Sequence, residues 1–129
     1  MDTSILIVEK DDIIRGVLRD WLESVLPGLD VIEAASSEES IALAQARLPH
    51  LFVIVVGLLR LEGIKAIRHV RVSVPSVEVV ALTVNGSKAC RDEVMSVGAS
   101  ACISVWKMRT ELLPTLKTLL TPGNGNKTE

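Results

Sequence analysis

Tyrosine is absent from this 129-residue chain, and Trp21, Phe52 and Trp106 are its only aromatic residues. A packed core must therefore be aliphatic. The two cysteines, Cys90 and Cys102, are too few and too poorly spaced for a disulfide framework or a zinc site. They read as reduced thiols of a cytoplasmic protein. The two histidines, His50 and His69, stand alone and read as surface residues. A net charge of −2 gives no electrostatic case for binding nucleic acid or an anionic membrane. The start, Met1-Asp2-Thr3-Ser4, lacks the basic flank of a signal peptide, and no apolar run reaches the length of a membrane span. No repeat or low-complexity segment is present.

What is present is centred on Leu51-Phe52-Val53-Ile54-Val55-Val56, six apolar residues in a row. A half-exposed strand alternates apolar with polar, so an unbroken short run predicts a strand covered on both faces. No residue with acid, base or nucleophile chemistry stands at its carboxyl end, where α/β sheets place their chemistry.

Ile5 to Val8 is a second such strand, followed by Glu9-Lys10-Asp11-Asp12. Then Ile14, Val17, Leu18, Trp21, Leu22 and Val25 fall at helical spacing, with Asp11 or Asp12 available as the cap. Pro27-Gly28 ends that helix, and Asp30 to Ala34 forms a short strand. Ser36 with Glu39 makes a capping box for a helix through Ile41, Ala44 and Leu48, ended by Pro49. After the central strand come a loop, Leu58 to Leu61, and a helix from about Glu62 to Val72. Val77 to Leu82 reads as a strand ending at Thr83, and Asn85-Gly86 as a turn. Ser87 caps a helix that carries Cys90, Val94 and Val97 and stops at Gly98. Ala101 to Val105 is the fifth strand. A last helix holds Leu112, Leu116 and Leu120, with Pro114 expected in its first turn. Residues 1–120 form one domain, and 121–129 read as a flexible tail or the start of a linker.

Five strands alternating with five helices predict a doubly wound, flavodoxin-like parallel sheet with helices on both faces. The order 2-1-3-4-5 places the two most apolar strands side by side. A flavin or nucleotide site on such a fold needs a Gly-, Ser- or Thr-rich loop after the first strand. The acidic Glu9-Lys10-Asp11-Asp12 speaks against one, so no cofactor is expected.

Several landmarks resemble a bacterial response-regulator receiver domain. They are Ile5 to Glu9 with Arg15 six positions on, Pro49 through Gly63, Ala81-Leu82-Thr83, and Gly98-Ala99 before the last strand. The spacing from Gly98 to Leu112 is most similar to receivers that carry a helix-turn-helix output domain. The resemblance implies two-component phosphorelay signalling. In that chemistry an acid pair after the first strand holds Mg²⁺, and an Asp ending the third strand takes the phosphoryl group. A Thr or Ser after the fourth strand and a Lys after the fifth bind its oxygens.

Carried over position by position, the pocket is degenerate. Glu9 matches the first acid, but Lys10 replaces the second and Val55 the acceptor. Thr83 matches the hydroxyl, Val105 replaces the Lys, and Trp106 stands where a Pro with a cis peptide usually follows. Cys102 replaces the aromatic that reports movement of the Thr. Shifting the acid pair by one place to Asp11 would redirect the side chain.

The resemblance therefore implies a non-enzymatic, metal-free module of the pseudo-receiver type that binds a protein without being phosphorylated. The alternative is a conventional phosphorelay regulator, or the regulatory domain of a DNA-binding transcription factor, with an unrecognised acceptor. The expected partner is an output domain, a kinase, another signalling protein or a second copy, with no direct nucleic-acid or membrane contact. The expected face comprises Trp106, Lys107, Arg109 and Cys102, in the region of the fourth helix, fifth strand and fifth helix. Trp106 is read as its anchor, against the alternative that the ring folds inward over the space left by the missing Lys. Lys107 either reaches toward the pocket or stays solvated.

Overall fold

The computed structural model describes residues 3–57, 60–84 and 86–120, with only the backbone of Arg60. The elements alternate as β1 (Ser4–Val8), α1 (Asp12–Val25), β2 (Asp30–Ala34), α2 (Ser37–Arg47), β3 (Leu51–Val56) and α3 (Arg60–Ser73). They continue as β4 (Glu78–Thr83), α4 (Lys88–Ser96), β5 (Ala101–Ser104) and α5 (Met108–Leu120), with a single 3-10 turn at Val105–Lys107 between the last two. All pairings are parallel and the order is β2-β1-β3-β4-β5, as expected from the pattern of apolar runs.

The unbroken apolar runs find cover on both sides. Leu6, Val8, Phe52, Ile54 and Val56 face one core with residues of α2 and α3, including Ala44, Ile64 and Ile67. Ile5, Ile7, Leu51 and Val53 face the other, closed by Leu18 and Leu22 of α1 and Leu112 and Leu116 of α5. Register places Val8 level with Ala34 and with Ile54, so β1 and β2 end together while β3 runs two residues further, to Val56.

The caps follow from the side chains. Asp11 Oδ1 accepts the backbone N–H groups of Ile13 and Ile14, both at 2.9 Å, which selects it over Asp12 as the cap of α1. Ser36 Oγ accepts from Glu39 N at 3.1 Å, while Glu39 Oε1 reaches back to Ala35 N at 2.8 Å. Ser87 caps α4 through Cys90 N. Gly98 follows that helix at φ +119°, and a Cβ there would sit 2.5 Å from Arg71 Cγ. Arg71 in turn donates from Nη1 to the Val77 carbonyl, tying α3 to the start of β4.

Four expectations need correction. The third helix begins at Arg60, so Leu61 is helical; Leu58, like Asn85 and the tail 121–129, lies outside the described residues. β4 runs from Glu78, one residue past the expected Val77. The fifth strand ends at Ser104, because Ser104 Oγ accepts from Trp106 N and turns Val105 into the 3-10 turn. Pro114 lies inside α5, well past its first turn. It has no N–H to offer the Thr110 carbonyl, and burial of Leu112 and Leu116 on either side holds the helix through that gap.

The flank of α1 toward β2 is electrostatic. Glu33 accepts from Arg19 Nη1 at 2.9 Å and from Arg15 Nε at 3.0 Å. The hydrogen bond from Arg19, then that from Arg15, hold the Glu33 carboxyl below its ordinary range against the opposing effect of burial.

Two outcomes follow. Gly98→Ala should destabilise the domain by about 1–3 kcal/mol in urea unfolding, because it meets both backbone strain and the Arg71 stem. Because its folded pKa is depressed, Glu33 contributes stability that is complete above its ordinary value of about 4.3. That contribution is lost as pH falls through the lower folded value. Glu33→Gln should therefore reduce stability at neutral pH and flatten the decline below about pH 5; an unchanged acid limb would reject the assignment.

Candidate functional site

A cleft of about 490 Å³ opens at the carboxyl ends of β1 and β3, the strands from which the chain departs in opposite directions. Such a switch point is where open α/β sheets bind ligands. Its floor is apolar: Val8, Ile54 and Val55. One wall is the start of α2, Ala35 to Ser37, and the other is the first turn of α3, with Glu62 and Gly63. Gly63 lets α3 approach closely, since a Cβ there would lie 3.1 Å from Val56 Cγ2. Glu9 and Lys10, from the loop after β1, complete the rim.

That loop is held by its own side chains. Glu9 Oε2 accepts from Asp11 N at 2.8 Å. Arg15 Nη1 donates to the Glu9 carbonyl at 2.7 Å, while Nη2 pairs with Asp12 at 2.7 Å. One guanidinium thus ties the β1–α1 loop to α1 and, through Glu33, to β2. Its hydrogen bonds to Asp12 and then Glu33 raise the Arg15 pKa above its ordinary value. Lys10 is exposed and makes no ion pair among the described residues.

The residues singled out from sequence do not all meet. Glu9, Lys10 and Val55 line the cleft. Thr83 does not: it is buried on the core face shared with α3 and α4, with Cys102 Sγ 4.0 Å from its Oγ1. Burial pushes the Cys102 thiol up, partly offset by that contact with Thr83. Val105 packs into the opposite core, on the α1 and α5 side. Alternation along β4 decides the split, for Val80 and Leu82 face one core and Val79 and Ala81 the other.

Trp106 is 81% exposed, which removes the inward alternative; Lys107 and Arg109 are exposed beside it. No cis peptide occurs among the described residues. His50 and His69 are exposed, and His50 Nδ1 accepts from Ser4 N at 3.1 Å.

Sequence reasoning missed Ser36, Ser37 and Glu62 as lining residues. Their signal was the cap of α2 and the acid one place before Gly63, but only the sheet order shows that these two helix starts face each other. Chemically, the cleft offers two carboxylates, one ammonium and an apolar floor. No carboxylate, hydroxyl or thiol stands at the end of β3. Among the described residues no group of three or more His, Cys, Asp or Glu side chains could hold a metal ion.

A family model for the response regulator receiver domain matches residues 5–115. A comparison with curated proteins finds no match. Solved structures of similar fold include a two-component response regulator of the LuxR family from Aurantimonas sp. SI85-9A1. It is 23% identical with a TM-score of 0.83, and the match covers 98% of this chain and 95% of that one. The chemotaxis response regulator CheY4 of Vibrio cholerae is 24% identical with a TM-score of 0.79, covering 93% of this chain and 100% of that one. A response regulator from Burkholderia pseudomallei, 20% identical with a TM-score of 0.77, covers 98% of this chain and 71% of its own. At these identities the neighbours speak for the fold, and the matched family model speaks for descent. With its sheet order, its switch-point cleft and that match over residues 5–115, the chain belongs to the response regulator receiver domain family of two-component signalling.

Proposed function

We propose that this receiver domain acts as a phosphorylation-independent protein-interaction module. The observation that carries the reading is Val55. Its place at the end of β3, level with Leu82 of β4, is apolar in a run of apolar neighbours. The Burkholderia pseudomallei regulator holds a phosphorylated aspartic acid and a calcium ion. Here no aspartate occurs between Asp30 and Asp92, so none belongs to β3.

The Mg²⁺ that the family chemistry uses does not fit the donor set. A hard cation needs several oxygen ligands. Glu9 already accepts from Asp11 N, Asp11 caps α1, and Asp12 pairs with Arg15. Lys10 adds a positive charge where a second acid would be needed. Thr83 is held toward Cys102, away from the cleft, which agrees with a domain that does not gather a phosphoryl group.

A single conformational state can still bind a protein. Trp106, with Lys107 and Arg109, gives an exposed aromatic flanked by cations. Trp and Arg are enriched among the residues that dominate interface energies. No helix among the described residues is long and apolar enough to cross a membrane. The partner on this reading is a protein: an output domain, a kinase or another signalling component.

Incubation with acetyl phosphate and Mg²⁺ should leave the intact mass unchanged. A stoichiometric phosphoryl adduct, labile to hydroxylamine, would instead make the protein a conventional phosphorelay regulator. Val55→Asp should not restore uptake, and it should cost about 1–3 kcal/mol of stability by placing a poorly paired carboxylate on an apolar floor.

Lys10, on the rim beside Glu9 and Glu62, supplies the positive charge that a metal gives elsewhere. Melting should therefore be indifferent to millimolar Mg²⁺, and Lys10→Ala should lower the melting temperature slightly, more at low salt than at high. A clear Mg²⁺-dependent rise would count against this role.

A further inference from the structure

Charge is divided unevenly along the chain. From residue 40 to residue 77 it carries Arg47, Arg60, Lys65, Arg68 and Arg71 against the single acid Glu62, a balance of +4. The whole chain stands at −2, so the remainder stands at −6. The basic excess falls on α2 and α3, which cover the opposite side of the sheet from α1 and α5. Two of its arginines are committed, Arg47 to Asp30 at 3.2 Å and Arg71 to the Val77 carbonyl. Lys65 and Arg68 are exposed and pair with no acid among the described residues.

Helical spacing gathers these two cations with two exposed apolar side chains. At about 100° per residue, Leu61, Lys65, Arg68 and Val72 fall within about 60° of one another. Ile67 and Val70, on the far side of the helix, are buried in the core. Leu61 is 63% and Val72 76% exposed. The stripe runs about 16 Å along α3, with an apolar side chain at each end and the unpaired cations between. Leu48 enlarges the Val72 end. Helices α2 and α3 are neighbours and run the same way, each returning from the carboxyl end of one strand to the amino end of the next. Leu48 closes α2 at that end, 64% exposed and at φ +48°. L side chains rarely adopt that backbone, and burial in the core does not account for it here.

We propose that this stripe of α3 docks an acidic amphipathic helix of a partner protein, its carboxylates on Lys65 and Arg68 and its apolar residues on Leu61 and Val72. A helix laid along another presents side chains at the same i, i+4, i+7 and i+11 places, so one face of the partner meets all four. The division of charge selects this class of partner. An extended polyanion such as a nucleic acid would also meet the field of the acidic remainder, whereas a short acidic helix lies on the basic layer alone. An anionic membrane calls for a continuous apolar face or a denser basic cluster, and here cations set the two apolar ends apart. The surface is separate from Trp106 and adds a second contact to the proposed interaction module. A failed docking leaves the acetyl phosphate result standing.

Fluorescence anisotropy tests it with a labelled, end-blocked helical peptide. The peptide repeats the spacing of Leu61, Lys65, Arg68 and Val72, with leucine at the apolar places and glutamate at the cationic ones. The protein binds it about tenfold or more tighter than a peptide of the same composition in permuted order, and affinity falls as salt rises. Lys65→Glu combined with Arg68→Glu weakens binding about tenfold or more, and Val72→Asp weakens it as well. Circular dichroism and melting stay unchanged, since all three positions are exposed. Exchanging the glutamates of the peptide for lysines restores binding to the doubly substituted protein, and Trp106→Ala leaves binding as it was. No preference over the permuted peptide, indifference to the double substitution, or no recovery on charge exchange overturns the proposal. Tighter binding of a single-stranded DNA oligonucleotide or of phosphatidylserine vesicles through Lys65 and Arg68 also overturns it, and would make this layer a nucleic-acid or membrane surface.

Discussion

The pairing of β1 with β3 is the constraint on which the remainder depends. Ile5 to Val8 lie against Leu51 to Ile54 with both faces covered and side chains essentially inaccessible. Each such Leu, Ile or Val contributes about 1.5–3 kcal/mol by leaving water. Helices must therefore sit on both sides of the sheet, and the chain must leave β1 and β3 in opposite directions. The cleft follows from that divergence. So does its character, since its floor is the continuation of the same apolar runs through Val8, Ile54 and Val55.

A polar group at Val55 would interrupt the most apolar segment in the molecule. Domains that place a carboxylate there offset its desolvation with a cation and fixed donors. Here no such set is gathered around Val55: Lys10 is exposed on the cleft rim, Thr83 lies against Cys102, and Val105 packs against the opposite core. The three departures agree with one another. The acids nearest the cleft are instead spent on structure. Arg15 joins Glu9, Asp12 and Glu33, and so fixes the loop after β1 to the edge of the sheet. That fork gives the loop a fixed geometry from protein groups alone.

Close approach of backbone to backbone sets the shape around this frame. Gly63 brings α3 against Val56, narrowing the cleft from one side, and Gly98 lets the chain turn beneath the stem of Arg71. At the other edge, Ser104 ends β5 one residue early and swings the peptide of Trp106 into a 3-10 turn. The ring is thereby presented to solvent and the Val105 side chain to the core. A one-residue change in where a strand stops thus separates an anchor from a filler.

Much of this was legible in the residue pattern. Unbroken apolar runs at Ile5–Val8 and Leu51–Val56 specify buried strands, and their alternation with amphipathic segments specifies a doubly wound sheet, because few chiral, uncrossed arrangements remain. Ser36 and Ser87, and Asp11 as one of two candidates with Asp12, were readable as caps because capping is a contact over two or three residues. The absence of any nucleophile at Val55 was readable directly. Other features were not, because they depend on contacts distant in sequence. Ile14 and Val17 have the spacing of a core face, yet they stay exposed while Leu18 and Leu22 are buried and Trp21 packs partly against the same core. Pro114 was expected in a first turn, but the helix begins at Met108 and is held by tertiary burial of its leucines. Glu62 and Ser36 meet across a cleft only because β1 and β3 are neighbours. Periodicity determines which segments are buried and what chemistry is missing. Which face of each element the neighbouring elements leave open is decided only when those elements pack.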